Sequence, residues 1–253
     1  MIGLAVDSFE FFESLPDNGL SGDIALQLDA ELFQYRNTCL KLKKMRFAAL
    51  YVKNPVSARL NRLILDSPFK LRMDSLESFE SQIKMLNDVG AEKVMLDFDL
   101  PALFENAADF AIAEQILGAL KGITYSAGME LELLFRLPFS GMEDFAAAAA
   151  FFRQNSMLRL NYSADIHIHE AGFDRELLKE VLLPVEFDVK TVNFLYDAAL
   201  GNKINAQNLK KMINYMKNTG AEHDFFLCPS GNVNYQNIQT DLQQWFNITK
   251  QEE

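Results

Sequence analysis

Residues 74–98 read DSLESFESQIKMLNDVGAEKVMLDF and hold one complete unit of the pattern that decides the fold. Apolar residues recur three or four positions apart up to Val89, which predicts an amphipathic helix with one buried face. Gly90 is typical of a helix end, and the apolar run that follows it predicts a buried strand. Residues 206–228 repeat the order, with a second periodic segment, Gly220 and a second apolar run.

Eight short apolar runs of this kind occur along the chain, mostly separated by helical segments. Because alternating strands and helices imply parallel strands with right-handed crossovers, we expect an α/β fold closed as a single (β/α)8 TIM barrel over residues 1–253. A doubly wound open sheet is the alternative, but GLAVDSF after the first strand is not a Gly-rich nucleotide turn. The predicted strands cover residues 2–6, 23–29, 46–52, 93–98, 129–136, 157–162, 189–196 and 224–228.

Composition and charge exclude several classes of protein. The 253 residues are 49% hydrophobic and carry a net charge of −11, and an acidic surface repels the phosphate backbone of nucleic acids. The first residues lack the pattern of a signal peptide, and no apolar run is long enough to span a membrane. Two cysteines do not make a disulfide scaffold. We therefore expect a cytoplasmic protein that binds neither nucleic acid nor membrane.

In a (β/α)8 barrel the chemistry lies at the carboxyl ends of the strands, and this rule selects candidate residues. The predicted strand ends form a polar rim with both signs of charge, which serves either as a functional pocket or as a solvated barrel mouth. An acid–base pair is expected among Asp97, Asp99, Asp165, His167 and Asp197. The expected ligand-binding residues are Arg136, Asn161, Tyr196 and Cys228.

The stretch ADIHIHE, residues 164–170, is the most metal-like part of the chain. If it is extended, strict alternation puts Asp165, His167 and His169 on one side, and this donor set suits zinc or manganese. Three ligands from one short strand converge poorly on a single ion, so exposure of the histidines to water is the alternative. Cys228 is expected to act as a small apolar filler at the top of the barrel rather than as a nucleophile.

The order and spacing of these segments resemble the xylose isomerase-like TIM barrels, the superfamily of sugar phosphate isomerases and epimerases that includes endonuclease IV. The resemblance rests on MIGLAVDSF at the start, on FAALYVKNPV before residues 74–98, and on MELELLFRLPFSGMEDFAAAAAFF, LRLNYSADIHIHEAGFD and residues 189–228. It extends over nearly the whole chain. It implies a small sugar-like or anionic ligand at the carboxyl face of the barrel.

The resemblance also implies a divalent metal held by a Glu, an Asp, a His and a Glu on strands five to eight. In the predicted register, Arg136, Asn161, Phe194 and Cys228 stand at those four positions, so no metal is expected there. A relocated site at Asp165, His167 and His169 is the alternative.

Two functions follow from the resemblance. The first is a divergent sugar isomerase or epimerase, in which Arg136 holds a phosphate or carboxylate. The second is a non-catalytic barrel that binds a sugar-like ligand through Arg136, Asn161 and Tyr196. Endonuclease activity is disfavoured, because it needs a histidine-rich metal cluster and the chain has three histidines.

Overall fold

Eight parallel strands close into a barrel in the computed structural model, which describes residues 1–18, 20, 23–54, 73–97, 107–135, 142–167, 188–198, 206–231 and 233–250. Each strand pairs with its neighbours in chain order, and β8 pairs with β1 to complete the ring. The predicted (β/α)8 fold is confirmed. The strands are β1 (Ile2–Val6), β2 (Ile24–Asp29), β3 (Leu50–Lys53), β4 (Ala91–Asp97), β5 (Glu130–Phe135), β6 (Asn161–His167), β7 (Val189–Asp197) and β8 (Asp224–Ser230).

Helices surround this ring, and their ends follow the local sequence. The Ser8 hydroxyl accepts a hydrogen bond from the Phe11 amide at 3.2 Å and so caps the first helix. Gly90 and Gly220 have φ of 82° and 80°, the left-handed conformation expected after a helix. The helices are α1 (Phe9–Ser14), α2 (Arg36–Leu42), α3 (Met73–Asp88), α4 (Ala107–Ser126), α5 (Met142–Asn155), α6 (Ala206–Lys217) and α7 (Tyr235–Lys250), with a 3-10 helix at Ala30–Gln34. None of the helices in the described ranges is long and apolar enough to cross a membrane.

The strands separate two cores, because successive side chains point to opposite faces of the barrel wall. The outer core lies between the strands and the helices, where Phe194 packs against Trp245 with ring centroids 5.7 Å apart. The inner core fills the barrel with Ala, Met, Cys and aromatic side chains. A Cβ at Gly3 would lie 2.2 Å from the Phe226 ring, so the absence of a side chain there lets that ring fill the interior.

Four polar side chains lie inside the barrel toward the amino ends of the strands, and we call Tyr51, Lys93, Glu132 and Asp224 the amino-end cluster. The Lys93 ammonium lies 2.8 Å from Asp224 and 3.2 Å from Glu132. The Tyr51 hydroxyl donates to Asp224 at 2.7 Å. Glu132 is fully buried, and burial raises the pKa of its carboxyl to about 7 against the opposing effect of Lys93.

The sixth strand is the main correction to the sequence interpretation. It was predicted at residues 157–162 but begins at Asn161 and ends at His167. Met157 lies in the connection before it and is 93% exposed. Tyr162, Ala164 and Ile166 form the apolar face of β6, whereas the alternate residues are polar and face the interior. In the sequence these alternating polar residues resembled a loop, and the strand was therefore placed too early in the chain.

The remaining segments agree more closely with the prediction. The predicted inward face of α6, which carries Leu209, Met212, Ile213 and Met216, is buried. Residues 173–183, FDRELLKEVLL, also have the sequence pattern of a helix, but they fall outside the described residues. The interpretation of the chain as one domain stays a prediction.

We predict that Glu132 makes unfolding depend on pH in a defined direction. Its folded pKa of about 7 exceeds the ordinary 4.5, so the folded state binds the proton more tightly than the unfolded state. The stabilisation is therefore complete below pH 4.5 and is lost as the pH rises to about 7, by about 3 kcal/mol in total.

Urea unfolding of the native chain and of Glu132→Gln across pH 4.5–7.5 measures this effect. The other titrating groups contribute equally to both free energies of unfolding and therefore cancel in the difference. The free energy of unfolding of the native chain should fall relative to that of Glu132→Gln as the pH rises. A difference that stays constant over this range would contradict the prediction.

Candidate functional site

A cavity of about 510 Å³ opens at the carboxyl ends of the strands. Side chains from β2, β3, β6, β7 and β8 form it together with the end of β1. Asp7 and His167 lie at its exposed rim, whereas Lys53 and Asp165 are buried at its floor. The lining residues are Ala5, Val6, Asp7, Gln27, Leu28, Asp29, Lys53, Asp165, His167, Leu195, Cys228, Pro229 and Ser230.

A chain of buried polar contacts forms the floor, and we call Gln27, Lys53, Asp165 and Asn193 the carboxyl-end cluster. The Lys53 ammonium donates to both oxygens of Asp165, at 3.0 and 3.2 Å. The Asn193 amide donates to Asp165 Oδ1 at 2.6 Å, and its own oxygen accepts from Gln27 Nε2 at 3.0 Å. These contacts connect four strands and fix both groups of the ion pair.

Gln27 Oε1 is the atom of this cluster that remains unsatisfied. Gln27 is 1% exposed, and its side-chain oxygen has no hydrogen-bond partner among the described residues. Leaving a buried acceptor unpaired costs about 1–3 kcal/mol. Because Gln27 lines the cavity, a ligand hydroxyl or a water molecule that reaches this oxygen would recover that cost.

Two aspartates give the cavity rim its acidic character. The Asp7 side chain is exposed at the mouth of the cavity, but neighbouring protein atoms remove part of its hydration and so raise the pKa of its carboxyl. The negative charge of Asp29 raises this pKa further, whereas the positive charge of Lys53 lowers it. Two hydrogen bonds hold Asp29 in place. The side-chain amide of Asn54 donates to Asp29 Oδ2 at 3.0 Å, and the backbone amide of Glu31 donates to Asp29 Oδ1 at 3.0 Å. Asn54 adopts a φ of 51°, a left-handed conformation that asparagine tolerates well.

Cys228 lies in the cavity wall but is not an activated nucleophile. Burial raises the pKa of its thiol to about 12, although the Lys53 charge opposes this. The reactive form of cysteine is the thiolate, so a thiol with this pKa is inert near neutrality. The position of Cys228 in the inner core agrees with its expected role as an apolar filler.

The structure brings three of the predicted site residues to the cavity, namely Asp165, His167 and Cys228. Asp165 and His167 alternate along the extended β6, as the sequence implied. Asp197 ends β7, next to the cavity residue Ser230 in the sheet register, and is half-buried.

Asp97 ends β4, and its side chain is not described. Asp99, Arg136 and His169 fall outside the described residues, so their roles stay predictions.

Two predicted ligand-binding residues lie elsewhere. Asn161 begins β6 and so lies at the amino end of the barrel, because the strand runs from residue 161 and does not end there. Tyr196 faces the outer core, and its hydroxyl donates to Asp241 of α7 at 3.1 Å. Phe194 also points outward, so Leu195 is the β7 residue in the cavity wall.

Besides Ser230, four polar cavity residues had been assigned no catalytic or binding role, namely Asp7, Gln27, Asp29 and Lys53, although Asp29 and Lys53 stand at or next to predicted strand ends. A signal for them was present in the sequence, since each is a polar residue at an alternate position within a strand or directly beyond its end. Assigning a face to each strand residue would have placed all four inside the barrel.

Three of the four metal ligands that the resemblance implies would lie at the ends of β6, β7 and β8. Asp165, rather than Asn161, is the strand-six carboxylate, so that expected ligand is present. Leu195 offers no donor, and Cys228 keeps its proton. In the part of the chain that the structure describes, no group of three His, Cys, Asp or Glu side chains is placed to hold a metal ion.

Lys53 adds a direct electrostatic conflict with a metal on Asp165. Two unit charges about 4 Å apart interact by about 4 kcal/mol at an effective dielectric of about 20, so a divalent ion beside this ammonium would be repelled by about 8 kcal/mol. The described residues therefore do not fit the family's metal.

We predict that the Lys53–Asp165 pair behaves as a coupled unit in folding. Asp165→Asn leaves a buried ammonium without its counter-charge and should lower the free energy of unfolding by about 3 kcal/mol. Adding Lys53→Met removes the unpaired charge and should recover at least half of that loss. Chemical unfolding of the native chain, both single variants and the double variant measures the coupling, and strictly additive losses would contradict it.

Comparisons with known proteins address the fold. No protein-family description matches the sequence, and no curated protein matches it. Among solved structures, the E. coli 3-keto-D-glucoside 4-epimerase YcjR is 12% identical, with a TM-score of 0.59 over 97% of this chain and 98% of its own. A D-tagatose 3-epimerase-like protein is 13% identical, with a TM-score of 0.61 over 99% and 98%.

A GH18 chitinase from Pseudoalteromonas aurantia also aligns, with 10% identity and a TM-score of 0.55 over 96% and 99% of the two chains. At these identities the likeness concerns the fold alone. The chain shares a closed eight-stranded parallel barrel with these two epimerase structures and with the chitinase, and the (β/α)8 fold that the resemblance implied is confirmed.

Proposed function

We propose that the protein is a divergent sugar isomerase or epimerase that binds a sugar or sugar phosphate in the cavity at the carboxyl face of the barrel. The observation that carries the proposal is the composition of that cavity. Carboxylates, an ammonium, an amide and an imidazole surround about 510 Å³ at the face where barrel enzymes perform their chemistry. The fold shared with sugar epimerases supports the choice of ligand.

The size and lining of the cavity suit a monosaccharide. Small-molecule sites commonly enclose about 300–1,000 Å³ and combine apolar walls with a few fixed polar groups. Leu195 and Cys228 offer apolar surface to the C–H groups of a sugar, while Asp29 and Ser230 offer oxygens to its hydroxyls.

Isomerisation and epimerisation next to a carbonyl need a base that removes a proton from carbon and an acid that returns it. Asp7 and His167 are the proposed pair, because they lie at the rim, directly after β1 and at the end of β6, and these two strands are not neighbours in the barrel. One takes the C–H proton as the carbonyl becomes an enolate, and the other returns a proton to the opposite face or to the adjacent carbon. The raised pKa of Asp7 favours holding a proton during this exchange.

The other candidates from the sequence keep supporting roles in the proposal. Asp165 is engaged by Lys53 and Asn193, so we assign it to positioning rather than to proton transfer. Asp97, Asp99 and Asp197 remain candidate acids, and Arg136 remains a candidate anion ligand.

A non-catalytic binding barrel is the second candidate function. It is favoured by the engagement of Asp165 in an internal ion pair and by the poor fit of the described residues to the family's metal. In this case the cavity binds a sugar-like ligand without moving a proton.

Deuterium exchange tests the two functions together. D-fructose, D-tagatose and their phosphate esters are incubated with the protein in D2O, and NMR follows exchange at the carbons beside the carbonyl, while calorimetry measures binding. The enzyme function predicts exchange with formation of an isomer or epimer. Asp7→Asn should lower the exchange rate by about 100-fold or more, because a proton carrier is lost, and should keep affinity within about threefold.

Asp17→Asn is the matched control, since Asp17 is an exposed aspartate after α1 at the other end of the barrel. Its exchange rate should equal that of the native chain. Binding without exchange would support the non-catalytic barrel. Neither binding nor exchange with any of these sugars would refute both functions.

A further inference from the structure

The Lys53 ammonium is a cation that is held in a fixed position at the floor of the cavity. Lys53 ends β3 and is 9% exposed, yet it lines the cavity together with the groups proposed to move protons. Its position is fixed, because both oxygens of Asp165 accept from it and Asn193 holds Asp165 in turn. A cation held in this way does not have to reorganise when charge develops beside it.

The ammonium also retains donor capacity. It carries three N–H donors, and Asp165 is its only hydrogen-bonding partner among the described residues. Asp165 supplies two oxygens, so one donor is left for a further acceptor. The cavity is where such an acceptor can enter.

Enolate formation places negative charge on the former carbonyl oxygen, and an enzyme of this class needs a positive group or a hydrogen-bond donor there. The described residues do not provide the family's metal site, because Leu195 and Cys228 stand where ligands are expected and Lys53 already engages Asp165. We propose that the Lys53 ammonium contacts the carbonyl oxygen of the sugar and stabilises the enolate oxyanion in place of a metal ion. This inference rests on the proposed function.

For epimerisation the proton balance is complete without a metal, and for isomerisation the proton of the adjacent hydroxyl also moves to the enolate oxygen. A rim base removes the C–H proton, the electron pair moves into the new carbon–carbon double bond, and the carbonyl π electrons move onto the oxygen that Lys53 contacts. Return of a proton to carbon reverses these shifts. Both oxygens of Asp165 accept from the Lys53 ammonium, so Lys53 acts through its N–H donors and forms no bond to the carbonyl carbon.

Deuterium exchange of D-fructose by the double variant Lys53→Met with Asp165→Asn tests the proposal. This variant removes both charges of the pair, so folding does not depend on an unpaired buried carboxylate. Circular dichroism and thermal unfolding verify that it is folded. The exchange rate should fall by about 100-fold or more, as expected for the loss of an oxyanion donor, while affinity for sorbitol, which lacks the carbonyl, stays within about threefold.

Lys84→Met is the matched control, because Lys84 is an exposed lysine on α3 that pairs only with Glu80 among the described residues. Addition of ethylammonium to Lys53→Ala should restore part of the exchange, and tetramethylammonium, which has no N–H donor, should not. Donor-dependent rescue of the exchange rate, with the thermal unfolding temperature and the affinity for sorbitol unchanged by ethylammonium, is a result that a purely structural role of Lys53 does not produce.

The possible failures are distinguishable. A folded double variant that exchanges D-fructose as fast as the native chain would overturn the role of Lys53 and leave the proposed function standing. If a chelator abolishes exchange by the native chain and Mn²⁺ restores it, a metal ion stabilises the enolate and the role of Lys53 is overturned. If borohydride traps a covalent adduct between Lys53 and the sugar, Lys53 bonds to the carbonyl carbon and its proposed role is likewise overturned. A native chain that exchanges none of the sugars would overturn the proposed enzyme and the role of Lys53 with it.

Discussion

The contact between Lys53 and Asp165 organises the carboxyl end of this barrel. The two residues are 112 positions apart in the chain and come from β3 and β6, which are separated by two strands in the ring. Their charges meet in a largely buried setting, where leaving either one unpaired is costly. Asn193 and Gln27 extend the contact to β7 and β2, so the floor of the cavity is a fixed arrangement of polar groups.

The two ends of the barrel use similar side chains for different purposes. At the amino end, Lys93 contacts Asp224 and Glu132, and its ammonium lies 4.8 Å from the centre of the Tyr51 ring. At the carboxyl end, the Lys53 pair is open to a cavity with acids at its rim. We expect the first arrangement to make stability depend on pH, whereas the second provides groups that a ligand can reach.

The fold was predictable because it depends on local patterns. The spacing of Phe79, Ile83 and Leu86, followed by Gly90 and a strand, correctly indicated one helix–strand unit, and the repetition of such units indicated the barrel. The register of β6 was missed, because NYSADIH alternates between an apolar outer face and a polar inner face, whereas strands were expected to be apolar on both faces. That shift moved the expected strand-six residue from Asp165 to Asn161. The pairing of Lys53 with Asp165 depends on closure of the ring, which no local pattern encodes.

We propose that the cation at the floor of the cavity is the Lys53 ammonium and not a metal ion. Anomalous diffraction at the manganese edge, from crystals grown with Mn²⁺, tests this directly. We expect no anomalous peak within about 2.0–2.6 Å of the Asp165 oxygens and a Lys53 ammonium in contact with them. A peak coordinated by Asp165, with the Lys53 side chain turned away, would contradict it.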